Sequence, residues 1–152
     1  LQPKDIFDIA EGTREGNQEA ARKAFATMGE VAGDAMATAV TLIDGLIVIG
    51  GGITAASKYI KPALMQELRS QMRTIGGETF DRVQMKVYDL DNEEEFEAFA
   101  KGASRDLKVY GTDKTVTYDP QKRIGVMISK IGASTAISLG AYAFALNEID
   151  KK

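Results

Sequence analysis

The chain has 152 residues, 44% of them apolar, and a formal net charge of −3; that suits one domain with a hydrophobic core, or one lobe of a larger protein, and is too apolar for a disordered tail. It contains no cysteine and no histidine, which excludes a thiol nucleophile, a disulfide framework, a Cys/His zinc site and histidine acid–base chemistry within this chain. There is no basic stripe of the kind that grips nucleic acid, no run of the ~18 apolar residues that span a membrane, and no export signal in the opening "LQPKDIFDIAEG". The first residue is Leu1 rather than methionine, so the chain is expected to begin inside a longer polypeptide or to have been processed.

Ile6, Phe7, Ile9 and Ala10 predict a short amphipathic helix, with Pro3 in its first turn and Gly12 at its end. Asn17 is a candidate cap for a second helix. Ala21, Phe25, Met28, Ala32, Ala35, Met36, Ala39 and Ile43 recur at helical spacing, and the helix is expected to run to about Leu42. Gly29 and Gly33 lie inside that helix, where glycine costs about 1 kcal/mol against alanine. Close helix packing is the first explanation and close approach of a ligand the second. Asp44 and Gly45 turn the chain into Leu46–Ile49, an apolar run expected to form a strand buried on both faces, as in a parallel sheet.

Gly50, Gly51 and Gly52 follow at once. A short helix around Ala55–Tyr59, a break, and a second helix opening at Pro62 and carrying Leu64, Leu68 and Met72 are predicted next, closed by Gly76 and Gly77. Val83–Leu90 alternates well enough for a strand. The acidic run Asp91, Glu93, Glu94, Glu95 and Glu97 suits the positive start of a helix through Phe96 and Phe99 better than it suits a metal. "DLKVYG" and "TVTYD" predict a hairpin around Gly111–Asp113, and "IGVMISKIG" another strand. Ser134 or Thr135 is placed as the cap of a last helix, apolar over much of its circumference. Such a helix is either central to a small domain or turned toward a partner lobe. The order predicts an α/β domain.

The chemistry concentrates in "IVIGGGIT". Glycine admits backbone angles closed to other residues and lets a ligand reach the main chain. A turn at the carboxyl end of a buried strand is where open α/β sheets bind ligands, and the helix that follows offers amides to anionic oxygens. Thr54 can cap that helix or touch the ligand. Neither GxGxxG nor GxxxxGK[ST] is present, which argues against a dinucleotide or Walker-type site. A nucleotide or other phosphate-bearing ligand is the first reading, and a purely structural turn the alternative.

"MGEVAGDAMATAVTLIDG", "LIVI", "GGGIT", "SKYIKPALMQELRSQM" and "IGASTAISLGAYAFAL" together resemble the C-terminal lobe of the ROK family of repressors and sugar kinases. Residues 1–80 and 123–149 carry the resemblance, and residues 81–122 look like a subfamily elaboration. It departs where Asp44 and Gly45 replace the usual Asn-Pro-Glu. It implies an actin-like (ribonuclease H-like) ATPase fold, a mixed sheet flanked by helices, with 1–152 as one C-terminal lobe and the N-terminal lobe outside this chain. It also implies that Gly50, Gly51, Gly52 and, less directly, Thr54 face the adenosine and phosphates of ATP. Gly132 and Ala133 are expected near the interlobe cleft.

The implied activity is glucokinase-like: transfer of the γ-phosphoryl group of ATP, with magnesium, to a sugar hydroxyl, in a cytoplasmic protein that pairs as a homodimer. The phosphate loop DxGxT, the aspartate base and the family's zinc motif cannot be found here. Asp34 and Asp44 match no family role, so no catalytic or metal-binding residue is assigned, zinc is expected only upstream, and the isolated chain is expected to be inactive. A sugar-responsive transcriptional regulator, with any DNA contact made elsewhere, and a non-catalytic binding domain are the competing readings.

Overall fold

The computed structural model describes residues 1–151. Helix α1 (Pro3–Glu11) is followed by α2 (Gln18–Leu42), strand β1 (Ile47–Ile49), a 3₁₀ turn (Gly52–Ala56) and α3 (Ser57–Leu68). Then come β2 (Gln71–Arg73), β3 (Thr79–Asp81), β4 (Lys86–Asp89), α4 (Glu93–Lys101), β5 (Arg105–Lys108), β6 (Thr115–Tyr118), β7 (Arg123–Ile128) and α5 (Ala133–Asp150). The main sheet has the order β1-β7-β4 and is parallel throughout. It is not mixed as expected, because the antiparallel pairings are confined to the separate hairpins β2–β3 and β5–β6.

The helix boundaries follow local chemistry. Gly12 ends α1 in the left-handed region at φ 79°, where L side chains are strained. The Asn17 side chain caps α2 by accepting from the Ala20 amide at 2.9 Å. Asn92 does the same for α4 through the Glu95 amide at 3.0 Å, and the glutamates of that first turn meet the helix's positive end.

Two apolar clusters hold the body together. Ala37, Val40, Leu64, Met65, Leu68, Val83, Val87, Ile124 and Val126 join α2 and α3 to one face of the sheet. Ile9, Ala10, Ala21, Phe25, Ala56 and Ile60 pack α1 onto the starts of α2 and α3. Gly29 and Gly33 owe their place to packing. A β-carbon on Gly29 would lie 2.2 Å from the Ile60 carbonyl oxygen, and one on Gly33 would lie 2.7 Å from Glu67 Cβ. Across the sheet, Tyr88 meets Phe99 of α4 edge-on at 5.7 Å.

Several expectations are corrected. Pro62 lies inside a single helix α3 rather than opening a second one. The missing proline donor costs one intrahelical bond, and packing of Leu64, Met65 and Leu68 holds the helix through it. Met72 belongs to β2, paired with Phe80 of β3, so Gly76 and Gly77 turn a hairpin. The strand predicted over Val83–Leu90 is limited to β4. Ser134 and Thr135 lie within α5, whose N-cap is Gly132 with no side-chain cap. Finally, β1 is an edge strand with Leu46 and Val48 55% and 56% exposed, not buried on both faces. Helix α5, the remaining apolar element, has no buried residue. Its Tyr142 and Phe144 are 66% and 67% exposed, so α5 is not the central helix of the described residues.

Candidate functional site

The glycine turn is set by the pairing of β1 with β7. Ile47, Val48 and Ile49 stand opposite Val126, Met127 and Ile128, and the Ser129 amide extends the ladder by donating to the Ile49 carbonyl at 2.8 Å. The loops leaving β1 and β7 therefore depart side by side from the carboxyl edge of the sheet, where open α/β sheets take ligands.

Of the three glycines, only Gly51 is required by its backbone conformation. Gly51 sits at φ 93° and ψ −178°, a backbone that excludes an L side chain without strain. Gly50 and Gly52 do not occupy the left-handed region. A β-carbon on Gly50 would meet only Ser129 Cβ at 3.7 Å, and one on Gly51 or Gly52 would meet nothing within 4 Å. Among the described residues, nothing fills the space that Gly51 and Gly52 leave. Thr54 closes the turn: its amide and its hydroxyl both donate to the Gly51 carbonyl, at 3.2 and 2.8 Å. With its proton committed, the hydroxyl can only accept from a ligand. The segment after the turn is a 3₁₀ turn running into α3 rather than a separate α-helix.

A small, mostly apolar hollow adjoins the turn, lined by Pro3, Phe7, Phe25, Gly52, Ile53 and Ala55 among others. It brings α1 to the site, which the sequence reading missed. Phe25 stacks on Tyr59 at 6.2 Å and meets Phe7 edge-on at 6.5 Å. The end of α1 is fixed by one carbonyl, that of Ala10, which accepts from Gln18 Nε2 at 3.1 Å, Arg22 Nε at 3.0 Å and the Tyr59 hydroxyl at 3.2 Å. Beside it Lys58 bonds Glu11, whose carboxyl is held below the usual carboxylate range by Lys58 and then by the Tyr59 hydroxyl.

At the same edge of the sheet, Lys61 of α3 bridges Asp89 and Asp91 at the end of β4, reaching Asp91 at 2.7 Å. Asp91 also accepts from the Ile128 amide at 2.9 Å. Burial pushes the Asp91 carboxyl up, but Lys61 and the Ile128 amide outweigh it and hold it low. Burial likewise pulls the Lys61 ammonium down, and its two carboxylate partners raise it overall. Lys130, the second residue after β7, is exposed, and its charge helps to hold Asp91 ionised. Ser129 is thus a neighbour of the turn that no local motif marked, with Lys130 following it at the same edge of the sheet; only the β1–β7 register reveals them.

The other nominated residues are dispersed. Gly132 and Ala133 lie at the β7–α5 junction, and a β-carbon on Gly132 would meet nothing within 4 Å. Asp34 pairs with Arg82, which also bonds Glu67. Asp44 precedes β1, at the opposite end of the strand from the glycines. Among the described residues no group of three or more acidic side chains is arranged to hold a metal ion, and no helix is long and apolar enough to cross a membrane.

No protein-family model matches the chain, and no curated protein matches it. Among solved structures it is similar to the crystal structure of a glucokinase from Parabacteroides distasonis ATCC 8503, with 54% identity and a TM-score of 0.80. The chain is similar to a glucokinase over nearly its whole length. The match covers 97% of this chain and 39% of that one, so the chain spans about two fifths of the glucokinase it matches. The resemblance read from the glycine turn and its flanking helices is thereby borne out at the level of a glucokinase-like chain.

Proposed function

We propose that residues 1–152 form the C-terminal, nucleotide-facing lobe of an ATP-dependent sugar kinase of the ROK family, with the actin-like ATPase lobe fold and with residues 81–122 as a local elaboration. Gly50, Gly51 and Gly52 line the track of the adenosine and phosphates, with Thr54 shaping the turn. The observation that carries this is the unfilled space at Gly51 and Gly52, at the carboxyl end of β1 beside β7, in a chain 54% identical to a glucokinase.

The residues fit a nucleotide. Bare backbone at Gly51 and Gly52 admits a flat or anionic group, the hollow beside Phe7 and Ile53 offers apolar surface, and exposed Lys130 supplies positive charge near the same edge. ATP supplies the phosphoryl group and its magnesium balances the phosphate charge. This chain contributes positioning. The turn is fixed by Thr54 and by the β1–β7 ladder before any ligand arrives, so little ordering is left to binding. The base that activates the sugar hydroxyl and the groups that read the sugar belong outside these residues, in a cytoplasmic protein.

Thermal unfolding with and without ADP tests the reading. A ligand that binds only the folded chain raises the midpoint, and an ADP-dependent rise is expected. No rise at millimolar ADP would overturn the assignment of the turn. In a coupled assay the isolated chain is expected to form no ADP in response to sugar; sugar-dependent turnover proportional to its concentration would show that the catalytic groups lie here after all.

A further inference from the structure

We propose that Asp91 is a positioning residue for the nucleotide, its carboxylate tying together the two stems of the glycine turn; this rests on the nucleotide reading of that turn. One stem is β1, which ends at Ile49 immediately before Gly50. The other is α3, which begins at Ser57 directly after the 3₁₀ turn Gly52–Ala56. Asp91 reaches the first through β7 and the second through Lys61. The local elaboration 81–122 thereby supplies a residue to the site.

The route to β1 runs across the end of β7. Successive amides of a central strand point to opposite sides, toward one neighbour and then the other. The ladder between β4 and β7 continues past Asp89 to the Leu90 amide, which donates to the Val126 carbonyl at 2.8 Å. The Ile128 amide faces the same side, and the Asp91 carboxylate accepts from it at 2.9 Å. The next amide, that of Ser129, faces the other side and donates to the Ile49 carbonyl at 2.8 Å. Element ends open easily. Here a charged acceptor holds the end of β7, and such bonds are roughly twice as strong as neutral ones.

The route to α3 is direct. Lys61, in the second turn of α3, bonds Asp91 at 2.7 Å and also pairs with Asp89. Its side chain is only 14% exposed, so it is fixed rather than ranging through solvent. The chain around Asp91 is knit as well. The Asp91 amide donates to Asp89 Oδ1 at 2.9 Å, and the Asp89 amide donates to Glu95 Oε2 at 2.7 Å. With both stems tied to one carboxylate, the turn spans fixed points and needs little ordering on binding. Freeing one stem lowers the fraction of molecules with the turn formed, and the apparent affinity falls by the same factor.

Charge and positioning predict opposite signs. Removing a negative group favours a phosphate if charge is its only influence; losing a positioning group weakens binding. Titration calorimetry with ADP, on the full polypeptide that carries these residues, compares the parent with Asp91→Ala and Asp91→Asn, each shown to be folded by thermal unfolding. Asp91→Ala is expected to bind ADP at least about tenfold more weakly. Asp91→Asn, whose amide oxygen still accepts from Ile128, is expected to bind about threefold more weakly. Without ADP, hydrogen exchange in Asp91→Ala is expected to quicken more at the Ser129 amide than at the buried Leu64. A role confined to stability lowers the melting midpoint and leaves the affinity of the folded protein unchanged. That outcome, tighter binding, or Ser129 exchange that follows Leu64 overturns the proposal. If Asp91→Ala does not fold, Asp91→Asn decides by the same comparison. A parent that does not bind ADP overturns the nucleotide reading itself, and the role of Asp91 with it.

Discussion

Gly29 lies so close to Ile60 that a β-carbon on it would stand 2.2 Å from the Ile60 carbonyl oxygen. Helices α2 and α3 therefore cross backbone to backbone, with Ala63 Cβ also within 3.2 Å of the same point. Alanine normally favours a helix by about 1 kcal/mol over glycine. Here Gly29→Ala is expected to destabilise the chain by about 3 kcal/mol, because backbone cannot yield as a flexible side chain can. Urea unfolding checks this. An unchanged or raised midpoint would mean that the helices are not in contact there.

The glycine turn predicts a contrast between neighbours. Gly51→Ala is expected to cost about 1–3 kcal/mol of stability, since φ 93° strains any L side chain. Gly52→Ala is expected to leave the melting midpoint within about 1 kcal/mol of the parent, because its β-carbon meets nothing, and yet to weaken ADP binding at least about tenfold. Titration calorimetry beside thermal unfolding separates the two effects. Equal ADP affinity in Gly52→Ala and the parent would remove the ligand from this turn.

Asp91 joins α3, through Lys61, to the end of β7, through the Ile128 amide. Asp91→Asn is expected to cost about 1–3 kcal/mol at neutral pH, the range for hydrogen bonds to charged groups. The folded carboxyl titrates below its unfolded value. Its contribution is therefore complete above the unfolded range, about pH 4, and is lost as pH falls through the depressed folded value. The stability gap between parent and variant should close on acidification through that window. The raised Lys61 behaves in the opposite sense: its contribution holds below about pH 10 and is lost above it. A gap that is constant from pH 7 to pH 2 would show that Asp91 is not held by these partners.

Helix α5 contributes no buried residue. A chain ended after Gly132 is therefore expected to unfold at the same urea concentration as the full chain, within about 1 kcal/mol. Removing Ile137, Tyr142 and Phe144 from solvent exposure should lower binding of a hydrophobic dye. A large loss of stability would instead show α5 docked on the body.

The sequence made the helices plain. Asn17, Gly12 and the spacing of Phe25 and its neighbours are local signals, and local capping and periodicity decided those ends. The glycines of α2 were readable as packing for the same reason. The hairpin at Met72 and Phe80 was not legible, because Gly76 and Gly77 mark a turn without saying what pairs across it. Pro62 misled, since tertiary packing overrode a local penalty. At the site, the glycines announced themselves, but Ser129 and Lys130 did not. Their position depends on a pairing between Ile49 and Ile128, and no periodicity within either segment encodes it.

The sheet has β7 in its middle, and β1 and β4 touch only through it. The central strand is thus the last of the three to be synthesised, after all of residues 50–122. Until residues 123–129 leave the ribosome, β1 lacks β7, its parallel neighbour among the described residues, and the Ile49 carbonyl has no Ser129 amide to receive. Long-range closure of this kind is slow compared with helix formation. The helices can form early, while the geometry of the glycine turn arrives in one late step, so a nascent chain cut short before Arg123 carries the three glycines without the surface they create.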